Sequence, residues 1–228
     1  MQPLVKDGLL GGTSISLFGD PGAGKTLLCQ SLTKSFLEDD VHCLYITTDR
    51  SPIDIRHDFQ MLGIDLSTFE REGKFSFVDG YSWLAGNSTE SYSAQNLANL
   101  SELMIVIDRA LNSFEDRFFL VFDSVSPLPL YNPELDVMKF VQLLISRIKT
   151  RESLAIFAVQ SGVHSSEFCN ALAYLADGVF DLKTEEESCG VRRYFRVRNL
   201  RYTSHDTKWV PYIIASRIIK LQFKEVSG

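Results

Sequence analysis

Eight consecutive residues of this chain have the types and spacing to hold a polyphosphate. Gly19-Asp20-Pro21-Gly22-Ala23-Gly24-Lys25-Thr26 follows the pattern G-x-x-x-x-G-K-[ST]. Glycines let the backbone approach phosphates and turn its N–H groups inward, while a helix beginning at the loop adds a dipole that favours negative charge. In such a loop Lys25 would place a positive charge near the β and γ phosphates, and Thr26 would offer a hydroxyl to Mg²⁺. The expected ligand is a nucleoside triphosphate with its metal.

A phosphate loop needs further groups, and four parts of the chain could supply them. Asp123 ends the apolar run Arg117–Asp123. An aspartate at the carboxyl end of a buried parallel strand points to the ligand-binding edge of its sheet, so Asp123 is the candidate metal residue beside Thr26. Its competing role is the cap of a turn. Hydrolysis also requires a group that orients the attacking water, for which Asp49 is the first candidate. Gln160 and Ser161 could sense the γ-phosphate, although polar residues at strand ends are often merely solvated. Finally, Arg192–Arg201 holds five arginines in ten residues. Extended, it would put Arg192, Tyr194, Arg196 and Arg198 on one face. A balanced solvent face, a nucleic-acid strip, or arginines reaching a neighbouring subunit's phosphate all remain open on residue types alone.

The surrounding elements can position these groups. Ser14–Phe18 reads as a strand leading into the loop, and Thr26–Leu37 as a helix leaving it, with Leu28, Leu32 and Phe36 at helical spacing. Strands are expected at His42–Thr47, Phe75–Val78, Arg117–Asp123 (the most apolar, hence central), Leu154–Gln160 and Gly178–Lys183. Helices are expected from Ser51-Pro52 to about Leu62, from Asn99 to about Phe114, from Asn132-Pro133 to about Thr150, and ending at Ala171–Ala176. Asn99 with Glu102 resembles a capping box. Gly86–Ala98, rich in Ser and Asn, reads as a loop of mobile composition. This alternation predicts an α/β fold with a mostly parallel central sheet covered by helices on both faces. Arg193–Asn199, Trp209–Ile214 and Ile218–Phe223 predict an antiparallel β extension at the C-terminal end. No linker or repeat divides residues 1–228, so a single domain is expected.

Composition narrows the class. The 228 residues are 45% hydrophobic, enough for a substantial core. A net charge of −6 argues against nucleic-acid binding by bulk electrostatics. Cys29, Cys43, Cys169 and Cys189 form no C-x-x-C pair and read as free thiols of a reducing compartment. No apolar run reaches the ~20 residues that span a bilayer, and no signal peptide is visible, so a soluble cytoplasmic protein is expected, without a membrane partner.

Taken in order, these stretches resemble the RecA superfamily and, within it, the KaiC-like P-loop ATPases common in archaea. The resemblance runs from Gly8 to about Phe223. It includes Gly11-Gly12, the loop itself, Tyr45–Pro52 and the turn Val78–Trp83. It continues with Leu120–Ser126, similar to the second nucleotide motif, and Val197–His205, similar to a K-x-R-x-[TS]-x-H strand. It implies a RecA-like P-loop NTPase fold, ATP and Mg²⁺ as ligands, and a homo-oligomeric ring, with a hexamer as its suggested size. It also implies a trans-acting role for Arg201 at the neighbour's γ-phosphate, and an unidentified protein partner. The chain departs from the pattern in three places. Asp49-Arg50 stands where paired glutamates are usual, Asn199 replaces a lysine, and the DNA-binding segment of recombinases is not seen before the loop. Together these features point to a slow ATPase with a regulatory role. The alternatives are a nucleotide-gated assembly module resembling the archaellum protein FlaH, and a recombinase paralogue that binds single-stranded DNA.

Overall fold

The computed structural model describes residues 11–86, 88–188, 190–215 and 218–222. Among them, the strands are β1 (Ser14–Gly19), β2 (His42–Thr47), β3 (Phe75–Asp79), β4 (Phe118–Asp123), β5 (Leu154–Gln160), β6 (Gly178–Glu187), β7 (Gly190–Leu200), β8 (Val210–Ala215) and β9 (Ile218–Leu221). They form one sheet in the order β3-β2-β4-β5-β1-β6-β7-β8-β9. The first six run parallel, and β7 to β9 continue antiparallel. The expected mixed α/β architecture is therefore present, with its antiparallel extension in the same sheet.

The apolar pattern explains the layers. Every residue of β4 is buried, as a strand covered on both faces requires. The helices are α1 (Lys25–Glu38), α2 (Pro52–Met61), α3 (Leu66–Arg71), α4 (Leu100–Leu111), α5 (Glu134–Thr150) and α6 (Ser166–Leu175). α1, α2 and α3 pack on one face through Leu28, Ile55, Phe59 and Leu66. α4, α5 and α6 pack on the other through Leu103, Ile107, Val141, Leu144 and Phe168. Each such side chain contributes roughly 1.5–3 kcal/mol by leaving water. No helix among the described residues is long and apolar enough to cross a membrane.

Local chemistry sets the boundaries, with some departures from expectation. Ser51 caps α2 by accepting from the Asp54 N–H, and Pro52 occupies the first turn. α3 was not anticipated from periodicity, being six residues long; Asp65 caps it by accepting from the Ser67 N–H. The expected capping box is only half formed. Asn99 accepts from the Glu102 N–H at 3.0 Å, but the Glu102 carboxylate turns to the N–H of Gln95 instead. Where loop composition suggested mobility, residues 88–98 are irregular yet anchored: Ser93 bridges to Asp79, Ala94 and Leu97 are buried, and Glu90 pairs with Arg56. Of the expected free thiols, Cys29 and Cys43 are buried and Cys169 is partly so, all unpaired; Cys189 lies outside the described residues, as do Gly8 and Phe223.

The parallel register matters most for function. Gly19 lies beside Gln160 and Thr47 beside Asp123, so the carboxyl ends of β1, β5, β2 and β4 meet at one edge of the sheet. That edge is where open α/β sheets hold ligands.

Candidate functional site

The loop between β1 and α1 forms one wall of a cleft of about 940 Å³. Gly22 and Gly24 adopt φ of +72° and +90°, conformations that an L side chain strains to reach, and their turn directs the chain into α1. The antiparallel extension braces the loop from behind. Asp20 accepts from the Thr184 N–H at 2.9 Å, and the Tyr212 hydroxyl donates to the Ala23 carbonyl. Arg193 adds a longer bond, 3.4 Å, to the Gly22 carbonyl.

Lys25 sits at the centre. Its ammonium donates to the carbonyls of Gly19 (2.9 Å) and Asp20 (3.0 Å) and to Gln160 Oε1 (2.8 Å). All three donors are thus engaged by neutral oxygens that phosphate oxygens could replace. Burial lowers its pKa, opposed by Asp123, Asp20 and Asp49 nearby. One residue along, Thr26 Oγ1 donates to Asp123 Oδ1 at 3.3 Å. A hydroxyl and a carboxylate at one point are hard oxygen donors of the kind Mg²⁺ prefers, so this pair fits that ion. The other oxygen of Asp123 accepts from the Tyr45 hydroxyl at 2.7 Å, both groups being buried. Burial raises the Asp123 pKa, and the bonds from Tyr45 and Thr26 pull against that rise.

Asp49 lies at the rim of the same cleft, exposed to water. Partial desolvation, then repulsion from Asp123, pushes its carboxyl up to about 7, with Arg50 acting the other way. Water at the rim screens these charges. Arg50 itself is tied to Asp58, which also accepts from Gln30 Nε2 at 3.2 Å. The Arg50 charge is therefore met by a carboxylate from α2.

The structure brings Gly19 to Thr26, Asp49, Asp123 and Gln160 to this one edge; it does not bring Arg201 there. The Arg201 N–H bonds to the Asp177 carbonyl, and the Asp177 N–H to Ser14 at the start of β1. Six residues of β1 separate that point from the loop, roughly 17–20 Å. Arg201 is exposed and shares Asp177 with Lys149. Its own contact is the longer, 3.5 Å against 2.7 Å. It thus lies at the far end of the strand from its own loop.

The other arginines are largely engaged. Arg196 and Arg198 share the Asp181 carboxylate, Arg196 and Lys183 lie over the Trp209 ring, and Arg192 pairs with Glu187. Sequence reasoning missed Tyr45, Ser126 and His164. A phenol in the middle of the buried run His42–Thr47 was the available signal for Tyr45. The others depend on loop conformations that no pattern specifies.

Comparison with known proteins agrees with this fold. The family model described as "ATPase: KaiC" matches residues 1–226. A UPF0273 protein of Methanocaldococcus jannaschii is 27% identical over 95% of this chain and 90% of its own length. One from Thermotoga maritima is 24% identical over 95% and 90%. Among solved structures, a KaiC-like protein of Pyrococcus horikoshii superposes with a TM-score of 0.80 at 22% identity, over 97% of this chain and 94% of the other, which supports the RecA-like fold. The chain belongs to the KaiC family of ATPase domains.

Proposed function

We propose that this chain, as a single domain, binds Mg·ATP in the cleft and hydrolyses it slowly at an interface between two copies, with a regulatory output in the cytoplasm. One observation carries the reading: Lys25, Thr26, Asp123 and Gln160 converge in a bonded cluster at the loop, while Arg201 stands exposed at the opposite end of β1. Loop amides and Lys25 bind the phosphates. Thr26 and Asp123 hold Mg²⁺, which when bound offsets phosphate charge. Asp49 orients water and accepts its proton, from a carboxylate one methylene shorter than glutamate. Gln160, released when Lys25 turns to phosphate, contacts the terminal group. Arg201 reaches the site of a neighbouring copy, since it lies too far from its own.

The test is steady-state phosphate release. Lys25→Ala and Arg201→Ala should each lose activity. Mixing the two should restore part of it, because about a quarter of randomly formed head-to-tail interfaces join an intact loop to an intact arginine. Full activity in either single variant contradicts the assignment; inactive variants whose mixture stays inactive contradict the trans role.

A second reading is favoured by Asp49. Its carboxylate reaches one methylene less far than a glutamate's, and a base must come within about 2.6–3.2 Å of its water to act on it. The nucleotide would then gate assembly of copies or docking of a protein partner rather than be consumed. Nucleotide-dependent assembly without turnover would select this reading. Single-stranded DNA binding is disfavoured, because Arg192, Arg196 and Arg198 of β7 are engaged by Glu187, Asp181 and Trp209, and Arg193 bonds the Gly22 carbonyl.

A further inference from the structure

Beyond the phosphate loop, a histidine also lines the cleft. His164 follows β5 by four residues and is half-buried, its ring 5.0 Å from that of Phe168. Its position is fixed from three sides. Ser165, the next residue, donates its N–H and hydroxyl to Glu134 of α5. The ring rests on α6 through Phe168. Its Nε2 meets Ser126 Oγ at 2.9 Å.

Ser126 joins this ring to the phosphate machinery. Its Oγ accepts from the Gln160 N–H at 2.7 Å. Gln160 Oε1 in turn accepts from Lys25 at 2.8 Å. Three hydrogen bonds thus connect His164, Ser126, Gln160 and Lys25, and all four residues line one cleft. A serine hydroxyl that accepts from an amide keeps one proton to give, and His164 Nε2 is its acceptor among the described residues. That assignment puts the proton of the neutral ring on Nδ1 and aims the Ser126 lone pair at the Gln160 amide.

We infer that His164 is a positioning residue of the nucleotide site. Through Ser126 it holds Gln160 where it can exchange Lys25 for a terminal phosphate. The inference rests on the proposed Mg·ATP reading and assigns its γ-phosphate discrimination to a specific chain of bonds. When Lys25 engages phosphate, Gln160 loses its ammonium partner and its side-chain amide is free to meet the terminal group. A Gln160 held only by its strand would make that exchange less well. ADP, lacking the terminal phosphate, does not call on Gln160 and should be indifferent to His164.

The experiment compares the affinities of a non-hydrolysable ATP analogue and of ADP, both with Mg²⁺, by titration calorimetry. His164→Ala and Ser126→Ala should each weaken the analogue about five-fold, the worth of one hydrogen bond, and leave ADP within about two-fold. His164→Gln, which keeps an acceptor for the Ser126 hydroxyl, should recover much of the loss. The double variant should be no weaker than the worse single one, as members of one chain require. In a Gln160→Ala background, His164→Ala should change nothing further. Equal losses for both nucleotides, additive losses, or an undiminished effect without Gln160 would overturn the inference. If the wild-type chain binds neither nucleotide, the Mg·ATP reading itself fails. If it binds both and the variants keep its discrimination, only the role of His164 fails.

Discussion

Tyr45→Phe removes a single buried oxygen behind Asp123 and should expose how that carboxylate is held. The Tyr45 ring is fully buried and meets Phe59 and Phe77 edge-on, so phenylalanine fills the same volume without a cavity. What disappears is the 2.7 Å bond to Asp123, leaving that carboxylate its 3.3 Å contact with Thr26. Hydrogen bonds to charged groups contribute about 1.5–3 kcal/mol, so a loss of ~2 kcal/mol is expected at neutral pH. In a domain of this size that corresponds to about 4–8 °C in Tm. The direction with pH follows from the carboxylate. Burial already raises its pKa and the Tyr45 bond opposes the rise, so the variant raises it further. The stability difference should therefore be largest where wild-type Asp123 is ionised and shrink as pH falls and both forms protonate. The Tyr45 hydroxyl also orients the Asp123 carboxylate from behind, so half-saturating Mg²⁺ should increase by about tenfold or more without it. Differential scanning fluorimetry across pH, with Mg²⁺ titrations of nucleotide binding, reads both effects. A variant with wild-type Tm and Mg²⁺ dependence would refute the claim that Tyr45 supports the metal carboxylate.

Three further outcomes follow from the same geometry. With the Asp49 carboxyl near 7 and its ionised form acting as base, phosphate release should rise between pH 6 and pH 8, by up to about tenfold. Asp49→Asn should flatten that limb; a wild-type profile already flat over this range would count against Asp49 as the base. Gly24→Ala forces a side chain into φ +90° with Ile214 Cδ1 3.2 Å from the new carbon. Calorimetric binding should weaken, and stability should fall by ~1–2 kcal/mol. Phe122→Ala, in the fully buried β4 between Phe140 and Phe157, should cost about 3–5 kcal/mol in chemical denaturation.

Much of the fold was legible because its signals are local. Apolar strands punctuated by Gly, Pro and Asp, and amphipathic helices with Ser or Asn caps, mark their own positions, and parallel pairing then aligns Gly19 with Gln160 and Thr47 with Asp123. α3 was missed because six residues are too few for a helical period to show. Glu102 found the Gln95 N–H because the preceding loop folds back over the start of α4, a tertiary fact absent from local pattern. In the site, Lys25, Thr26 and Asp123 were identifiable by spacing and strand ends. Tyr45, Ser126 and His164 were not, since each reaches its partner across a large gap in sequence: 78 residues separate Tyr45 from Asp123, and 38 separate Ser126 from His164. The altered pair Asp49-Arg50 was visible as a sequence departure, but that Asp58 meets the Arg50 charge required the placement of α2.

The proposed function requires the cleft around Lys25 to hold Mg·ATP. Its most direct test is titration calorimetry of Mg·ATP into the wild-type chain and into Lys25→Ala. Saturable binding at one nucleotide per chain is expected in the wild type, with a loss of at least about tenfold without the ammonium, whose three hydrogen bonds would pass to phosphate. Equal affinity in the two proteins, or no binding to the wild type, would contradict it.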